Sequence, residues 1–365
     1  MPQGSDFNSA ALRTTLPWDA GWVTAVVVLG DGRRVVAGNQ AGQILMWDLP
    51  EKPGEAPPPV RTLTGHTNFI TALAVTPDDR WLISTSYDHT VRLWDLTEQP
   101  TATATVSLTA ETSGKKSSKE KKSVTLSIPA QQAAKALTFH EEWVRALALS
   151  GDGKLALTGD DRGTAILWNV ADGSEVRRVQ GKGWLQAIAM SPDSKLAVTC
   201  ESAVRYSTFP NANRVWDLST GTMKFDLAKE LPAKGSESKQ AGMAAAAASR
   251  DGKLFAVGRG GEIDSESGKI FLLDAATGKK LRELAGHQYG VTGLCFHPDG
   301  RTLASCGRDT VLRLWNAADG KLIKELGKPR GGQFKDWTHA ISISADGLCL
   351  AAADMAGAVA VWALG

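Results

Sequence analysis

The 365-residue chain is 42% hydrophobic and 22% charged, with a formal net charge of +2. That balance excludes a disordered polyelectrolyte and leaves no global drive toward nucleic acid or an anionic membrane. Its four cysteines (Cys200, Cys295, Cys306, Cys349) lie apart in apolar runs without CxxC spacing, so they read as small hydrophobes of a reducing compartment.

In chain order, Met1 to Ala11 reads as an N-terminal extension without the basic-then-apolar order of a signal peptide. No later run reaches the ~18–20 apolar residues of a membrane span, so a cytoplasmic protein without membrane contact is expected. Leu12–Leu16 is a short strand. After it a three-part unit begins: a strand, an Asp-containing turn, a second strand, and a third strand ending in Trp. The turns are Gly30-Asp31-Gly32, Pro77-Asp78-Asp79, Gly151-Asp152-Gly153, Pro192-Asp193-Ser194, Arg250-Asp251-Gly252, Pro298-Asp299-Gly300 and Ala345-Asp346-Gly347. Gly tolerates positive φ and Pro presets the first corner, so each turn predicts a tight hairpin. The closing residues are Trp47, Trp94, Trp168, Trp216, Leu273, Trp315 and Trp362. Five of the seven Asp-to-closing intervals are equal (31 to 47, 78 to 94, 152 to 168, 299 to 315, 346 to 362). A fixed interval with repeated residue types is an internal repeat, here of short strands, and it predicts an all-β chain.

Gly65-His66 through Trp94-Asp95 and Gly286-His287 through Trp315-Asn316 resemble full WD repeats. Phe139-His140 to Trp168 is a good match, and the other four copies are eroded. The resemblance covers about residues 12 to 364. It implies a seven-bladed β-propeller of four-stranded antiparallel blades, with the N-terminal strand completing the last blade. The expected division is 1–11 as extension and 12–365 as one propeller, with 97–135 a long loop or hairpin. Val106-Ser107-Leu108 and Val124–Ile128 could pair with the lysine run Lys115–Lys122 at the tip, or the run could be a solvated loop. Because this segment adds to a connection and not to a blade, its removal is expected to change the melting temperature little.

The resemblance also assigns two buried tetrads, His66–Ser84–Asp88–Trp94 and His287–Ser305–Asp309–Trp315, as structural donor–acceptor chains, since a His/Ser/Asp set that recurs with a Trp is not a hydrolase triad. In blade three His140, Thr158 and Trp168 fit, but Arg162 stands at the Asp position beside Asp161. Blades one, four, five and seven lack the His and are expected to rest on apolar packing. His89 stands where a turn Gly is common, and His297 sits at an ordinary strand end. No HExxH or paired-Cys motif occurs, and Gly258–Lys269 lacks phosphate-loop spacing. No enzyme activity, metal or cofactor is expected.

Before the innermost strands an aromatic residue recurs: Trp22, Phe69, Trp143, Trp184, Tyr289 and Trp337. Propeller geometry puts these at one rim of the channel, where Trp and Tyr form interface hot spots and can hold a partner's Arg or Lys. Family geometry sends the insertions Glu201–Asn211, Ala228–Gln240, Arg259–Ser267 and Gly327–Asp336 to the same top face. The expected partner-binding rim is therefore Trp22, Phe69, Trp143, Arg145, Trp184, Arg205, Arg259, Tyr289, Trp337 and His339. The function this implies is a scaffold or adaptor, expected to be a monomer, that holds a protein or peptide partner on the top face and has no specific nucleic-acid partner. Two alternatives stand beside it. One is a propeller enzyme at the channel mouth, using Arg145, His339 and loop acids. The other is a regulatory WD-repeat domain of a larger signalling or redox protein.

Overall fold

A computed structural model describes residues 7–19, 21–111, 121–202, 211–231, 242–261, 267–329 and 336–365. They form seven antiparallel blades in a ring, with one 3-10 turn at Phe7–Ser9 and no α-helix among the described residues. The innermost strands, one per blade, are Val23–Val28, Ile70–Val75, Val144–Leu149, Trp184–Met190, Met243–Ala248, Val291–Phe296 and Thr338–Ile343. Apolar residues of neighbouring blades share buried clusters, so the core is a set of inter-blade wedges.

The Asp turns repeat atom for atom. In each, the third residue has positive φ (Gly32, Asp79, Gly153, Ser194, Gly252, Gly300, Gly347), which explains why five of them are glycine. Its N–H donates to the carbonyl three residues back. The turn Asp Oδ1 then accepts the N–H two residues on, from Arg33, Arg80, Lys154, Lys195, Lys253, Arg301 and Leu348.

Ring closure follows the expected route. Ala11–Pro17 pairs antiparallel with Ala358–Ala363, from Ala11 opposite Ala363 to Pro17 opposite Ala358, and supplies the outer strand of blade seven. The stretch before it is docked as well. Phe7 and Ala10 are buried, the Phe7 ring meets His297 edge-on at 5.2 Å, and Lys324 Nζ donates to the carbonyls of Asn8 and Ala10.

The 97–135 segment departs from an addition to a connection. Ala102–Glu111 and Lys121–Gln132 form a hairpin paired over ten positions. The second strand then joins the outer strand of blade one, Arg61–Thr64, in parallel through Ala130–Gln132. Blade one thereby becomes a six-stranded sheet. Pro57, Pro58 and Pro59 precede Arg61–Thr64 and carry no N–H, so this parallel ladder stays short. Alternation sends Val106, Leu108 and Ile128 into one cluster with Leu16, Trp18, Trp47 and Val359, at the seam where the ring closes. Gln131 ties the hairpin down: it accepts from Arg61 Nη1 at 2.9 Å, and its Nε2 donates to the Asp95 carbonyl at 2.6 Å. Of the two alternatives expected for 97–135 the hairpin is the one present, and its burial at the seam argues against a small effect of its removal.

Both assigned tetrads are built as expected. The imidazoles of His66 and His287 lie 2.7 Å from Ser84 Oγ and Ser305 Oγ, and 2.7 and 2.9 Å from the carboxylates of Asp88 and Asp309. Trp94 Nε1 and Trp315 Nε1 donate to the same hydroxyls at 2.9 and 2.8 Å. Burial lowers the pKa of both histidines against the pull of their Asp partners. Burial opposes ionisation of Asp309, yet hydrogen bonding from His287 and Arg313 holds its carboxyl down at about 2.

Blade three completes its chain in a way the tetrad pattern misses. Asp160, the last residue of the second strand, takes the carboxylate place at 2.8 Å from His140, while Thr158 accepts from Trp168 at 3.3 Å. Asp161 and Arg162 pair elsewhere, with Arg145 and Glu141. Blade four also keeps a polar chain. Thr199 accepts from Trp216 Nε1 at 2.9 Å, and the Glu201 carboxylate accepts the N–H groups of Lys182 and Gly183 where other blades have His. Blade five fills the corresponding place with apolar side chains, Phe255, Val257 and Leu273, all fully buried.

Candidate functional site

All seven innermost strands carry a register shift at the same place, between Val23 and Ala25, Ile70 and Ala72, Val144 and Ala146, Leu185 and Ala187, Met243 and Ala245, Val291 and Gly293, and Thr338 and Ala340. A bulge re-aims the extra residue. Here the extra residues are Thr24, Thr71, Arg145, Gln186, Ala244, Thr292 and His339, and all seven line a central channel of ≈ 640 Å³. The next residue is Ala or Gly in every blade, so a collar that is polar in six of the seven blades adjoins a ring of small apolar residues. Three threonines of the collar staple neighbouring blades: Thr24 to the Ile70 carbonyl, Thr71 to Val144 and Thr292 to Thr338, at 2.5–2.6 Å.

The aromatic residues stand at this end of the channel. In six blades the turn after the second strand bonds back to the residue before or at the start of the inner strand, as in Tyr87 N–H to Phe69 O and Asp161 N–H to Trp143 O. Those turns and the rim therefore share one face. On blades one to three the rings make a continuous ledge. Trp22 meets Phe69 edge-on at 6.1 Å, Phe69 stacks with Tyr87 at 5.4 Å, and Tyr87 stacks with Trp143 at 4.5 Å. Trp22 and Trp143, at its ends, are 40% and 41% exposed.

Arg145 fills the gap between blades three and four. Its guanidinium carbon lies 4.9, 5.7 and 5.5 Å from the ring centroids of Tyr87, Trp143 and Trp184. Asp161 holds it from behind, and its Nη1 donates to the Tyr87 hydroxyl. Burial raises the Tyr87 pKa, and the Arg145 charge pulls against that rise. This corner of the rim is an aromatic cage already occupied by the chain's own cation.

The remaining expected positions divide. Trp337 is half-buried with Arg308 over its ring at 4.2 Å, and Tyr289 is half-buried at blade six. His339 is exposed on the channel wall, where enclosure by the surrounding strands and the nearby Arg308 charge lower its pKa. Arg259 is not on the open rim. It is 4% exposed and its guanidinium lies over the Phe271 ring of its own blade, because the last residue of a second strand points between sheets. Arg205 and most of the four insertions fall outside the described residues. Tyr87 was not expected. It precedes the tetrad Asp88 and repeats in no other blade, so no periodic signal marks it. Burial raises the Cys295 thiol to about 11 and those of Cys306 and Cys349 to about 12, in keeping with small core hydrophobes. No group of three or more His, Cys, Asp or Glu able to hold a metal occurs among the described residues.

The model of the WD domain, G-beta repeat, matches residues 57–95, 131–169 and 278–316. Those three segments end at Trp94-Asp95, Trp168-Asn169 and Trp315-Asn316, in the three blades that carry a His–hydroxyl–Trp chain. Three blades of this seven-bladed β-propeller are WD repeats. Similar proteins include the WD repeat, SAM and U-box domain-containing protein 1 of Gallus gallus, 36% identical over 67 residues, 18% of this chain and 14% of that protein. The WD repeat and SOCS box-containing protein 1 of Homo sapiens is 37% identical over 98 residues, 26% of this chain and 22% of that protein. The Periodic tryptophan protein 2 homolog of Mus musculus is 42% identical over 74 residues, 19% of this chain and 8% of that protein. The propeller thus spans less than a quarter of each of these relatives. WD-repeat propellers generally serve protein–protein interaction. No helix among the described residues is long and apolar enough to cross a membrane.

Proposed function

We propose that this propeller is a scaffold that holds a protein or peptide partner on the collar end of its channel. The observation that carries the reading is the ledge from Trp22 to Trp143. Its rings are fixed by stacking, so little entropy is lost on binding, while its two end indoles remain exposed. Arg145 supports the same reading as a positioning group: its donors are engaged with Asp161 and Tyr87, which stiffens the ledge and leaves the guanidinium unsuited to catalysis at the mouth. The reading holds whether the propeller acts alone or as one domain of a longer protein.

The test begins with capture of partners from the source organism on the wild-type protein. Affinity is then measured for Trp22→Ala and Trp143→Ala, with circular dichroism alongside. Each substitution should weaken binding by roughly 2 kcal/mol, the hot-spot scale, with the melting curve retained. Wild-type affinity in both folded variants would remove the collar as the binding site.

A further inference from the structure

Outside the collar, one edge of the molecule lacks the protection given to the others. The outer strands of blades three to six are each interrupted by a register shift against their neighbour, and each carries charge, for example Arg177, Lys224, Arg282 and Lys324. The closing strand is shifted at Arg13, and the outer strand of blade two is only Lys135–Leu137. Bulges, charges and short length are the ordinary means of blunting a sheet edge. Ala102–Glu111 has none of them before its last residue. It ends the six-stranded sheet, pairs without a shift over ten positions, and holds no charged residue from Ala102 to Ala110. Among the described residues its one strand partner is Lys121–Gln132. Thr103, Thr105 and Ser107 face solvent, while Val106 and Leu108 face the core. The hairpin's other strand begins with Lys121 and Lys122 and contains Pro129, so its own free stretch is blunted.

We propose that the edge of Ala102–Glu111 is a self-association site, where two copies of the chain pair antiparallel and join two six-stranded blades into one sheet. A two-fold antiparallel contact sets each residue opposite the one equally far beyond the axis, so an axis at Thr105 places Thr103 of one copy opposite Ser107 of the other. Opposed Thr and Ser side chains are favourable cross-strand pairs, whereas opposed like charges are not. An uncharged edge is therefore the kind that can accept its own copy. Direction follows from the lysine-rich stretch that comes after Glu111: antiparallel pairing sends the two runs to opposite ends, while parallel pairing would set them side by side. Ten paired residues extend about 33 Å, a contact at or below the ~1,200 Å² low end of specific interfaces. The dimer is thus reversible and concentration-dependent, a departure from the monomer expected from the sequence. It leaves both channel collars open, so a bivalent partner gains avidity.

Light scattering coupled to gel filtration, from millimolar to micromolar protein, provides the test. The mass is expected to rise from 38.7 kDa toward twofold at the high end, and a Thr105→Lys/Ser107→Lys double variant is expected to stay monomeric with an unchanged melting curve. A wild-type monomer at every concentration, or a variant that dimerises like wild type, overturns the proposal. Should the variant not fold, amide exchange in the wild type decides. Alternate amides of Ala102–Ala110 should gain protection as concentration rises, and constant protection overturns the assignment. Protection that appears only when another protein is added, in a chain monomeric alone, replaces self-pairing by strand addition from a partner.

Discussion

In blade six the indole N–H of Trp315 ends on the Ser305 hydroxyl, whereas in blade one the residue in the place of that serine, near the equivalent Trp47, is Ala37. The Trp47 N–H is buried with no hydrogen-bond partner among the described residues. The two blades share a strand plan and differ in how they hold it. Blade six uses a polar chain from Trp315 to Asp309, reinforced by Arg313 at 2.7 Å. Blade one uses area, since its hairpin adds Val106, Leu108 and Ile128 to the cluster around Trp47. The lesson is that an eroded repeat can be repaired from outside its own four strands.

The sharpest way to break this comparison is to remove the hairpin. Replacing Thr101–Gln132 with a short Gly/Ser linker withdraws three large apolar side chains from the seam. At roughly 1.5–3 kcal/mol for each full burial, the loss should reach about 4 kcal/mol or more, read as a lower urea midpoint. A midpoint left where it was would show that blade one stands on its four strands. Next, Ser305→Ala strips a partner from both His287 and Trp315 and should cost about 1–3 kcal/mol. A neutral result would mean that apolar packing holds blade six as well.

pH separates the two blades without mutation. His66 and His287 titrate below their ordinary value of 6.5 because burial disfavours the cation. Their contribution is therefore complete above that pH and is lost as pH falls from there through the lower folded values. Melting temperature should decline across that interval, and His287→Gln should flatten part of the decline. A profile that is flat in the wild type would contradict the buried neutral imidazoles. The smallest expected effect is a gain. Ala37→Ser offers Trp47 a hydroxyl and should stabilise by about 0.5–1 kcal/mol, and a loss would show that the Trp47 site is too tightly packed to admit an oxygen.

Much of this architecture is local, and local features are legible. The turn Asp residues, the closing tryptophans and the first strand's likeness to later outer strands are all set by contacts within a few residues or by exact repetition. What escaped notice depends on partners distant in the chain. The parallel ladder between Gln131 and Leu63 leaves no periodic trace, because its register is fixed by proline placement and by burial at the seam. Asp160 lies outside the tetrad pattern because that pattern fixes position 162, whereas a carboxylate two residues earlier reaches the same imidazole. Of the expected rim, Trp22, Phe69 and Trp143 meet in one stack with Tyr87, whereas alternation along its strand turns Arg259 inward. The threonine staples did leave a signal, a Thr two residues after the rim aromatic in blades one and two, and it is only their geometry that gives it meaning.

The pairing of Ala11 with Ala363 has a consequence for how the protein is made. On a ribosome the first strand emerges with its partner still unwritten. At about 5–20 residues per second, the roughly 350 residues between them take on the order of 20–70 s to appear. Throughout that interval Leu12, Thr14 and Leu16 lack the strand they are shaped to fit. The nascent ring is an open arc with an unclaimed edge at each end, and its most exposed moment is the one just before completion.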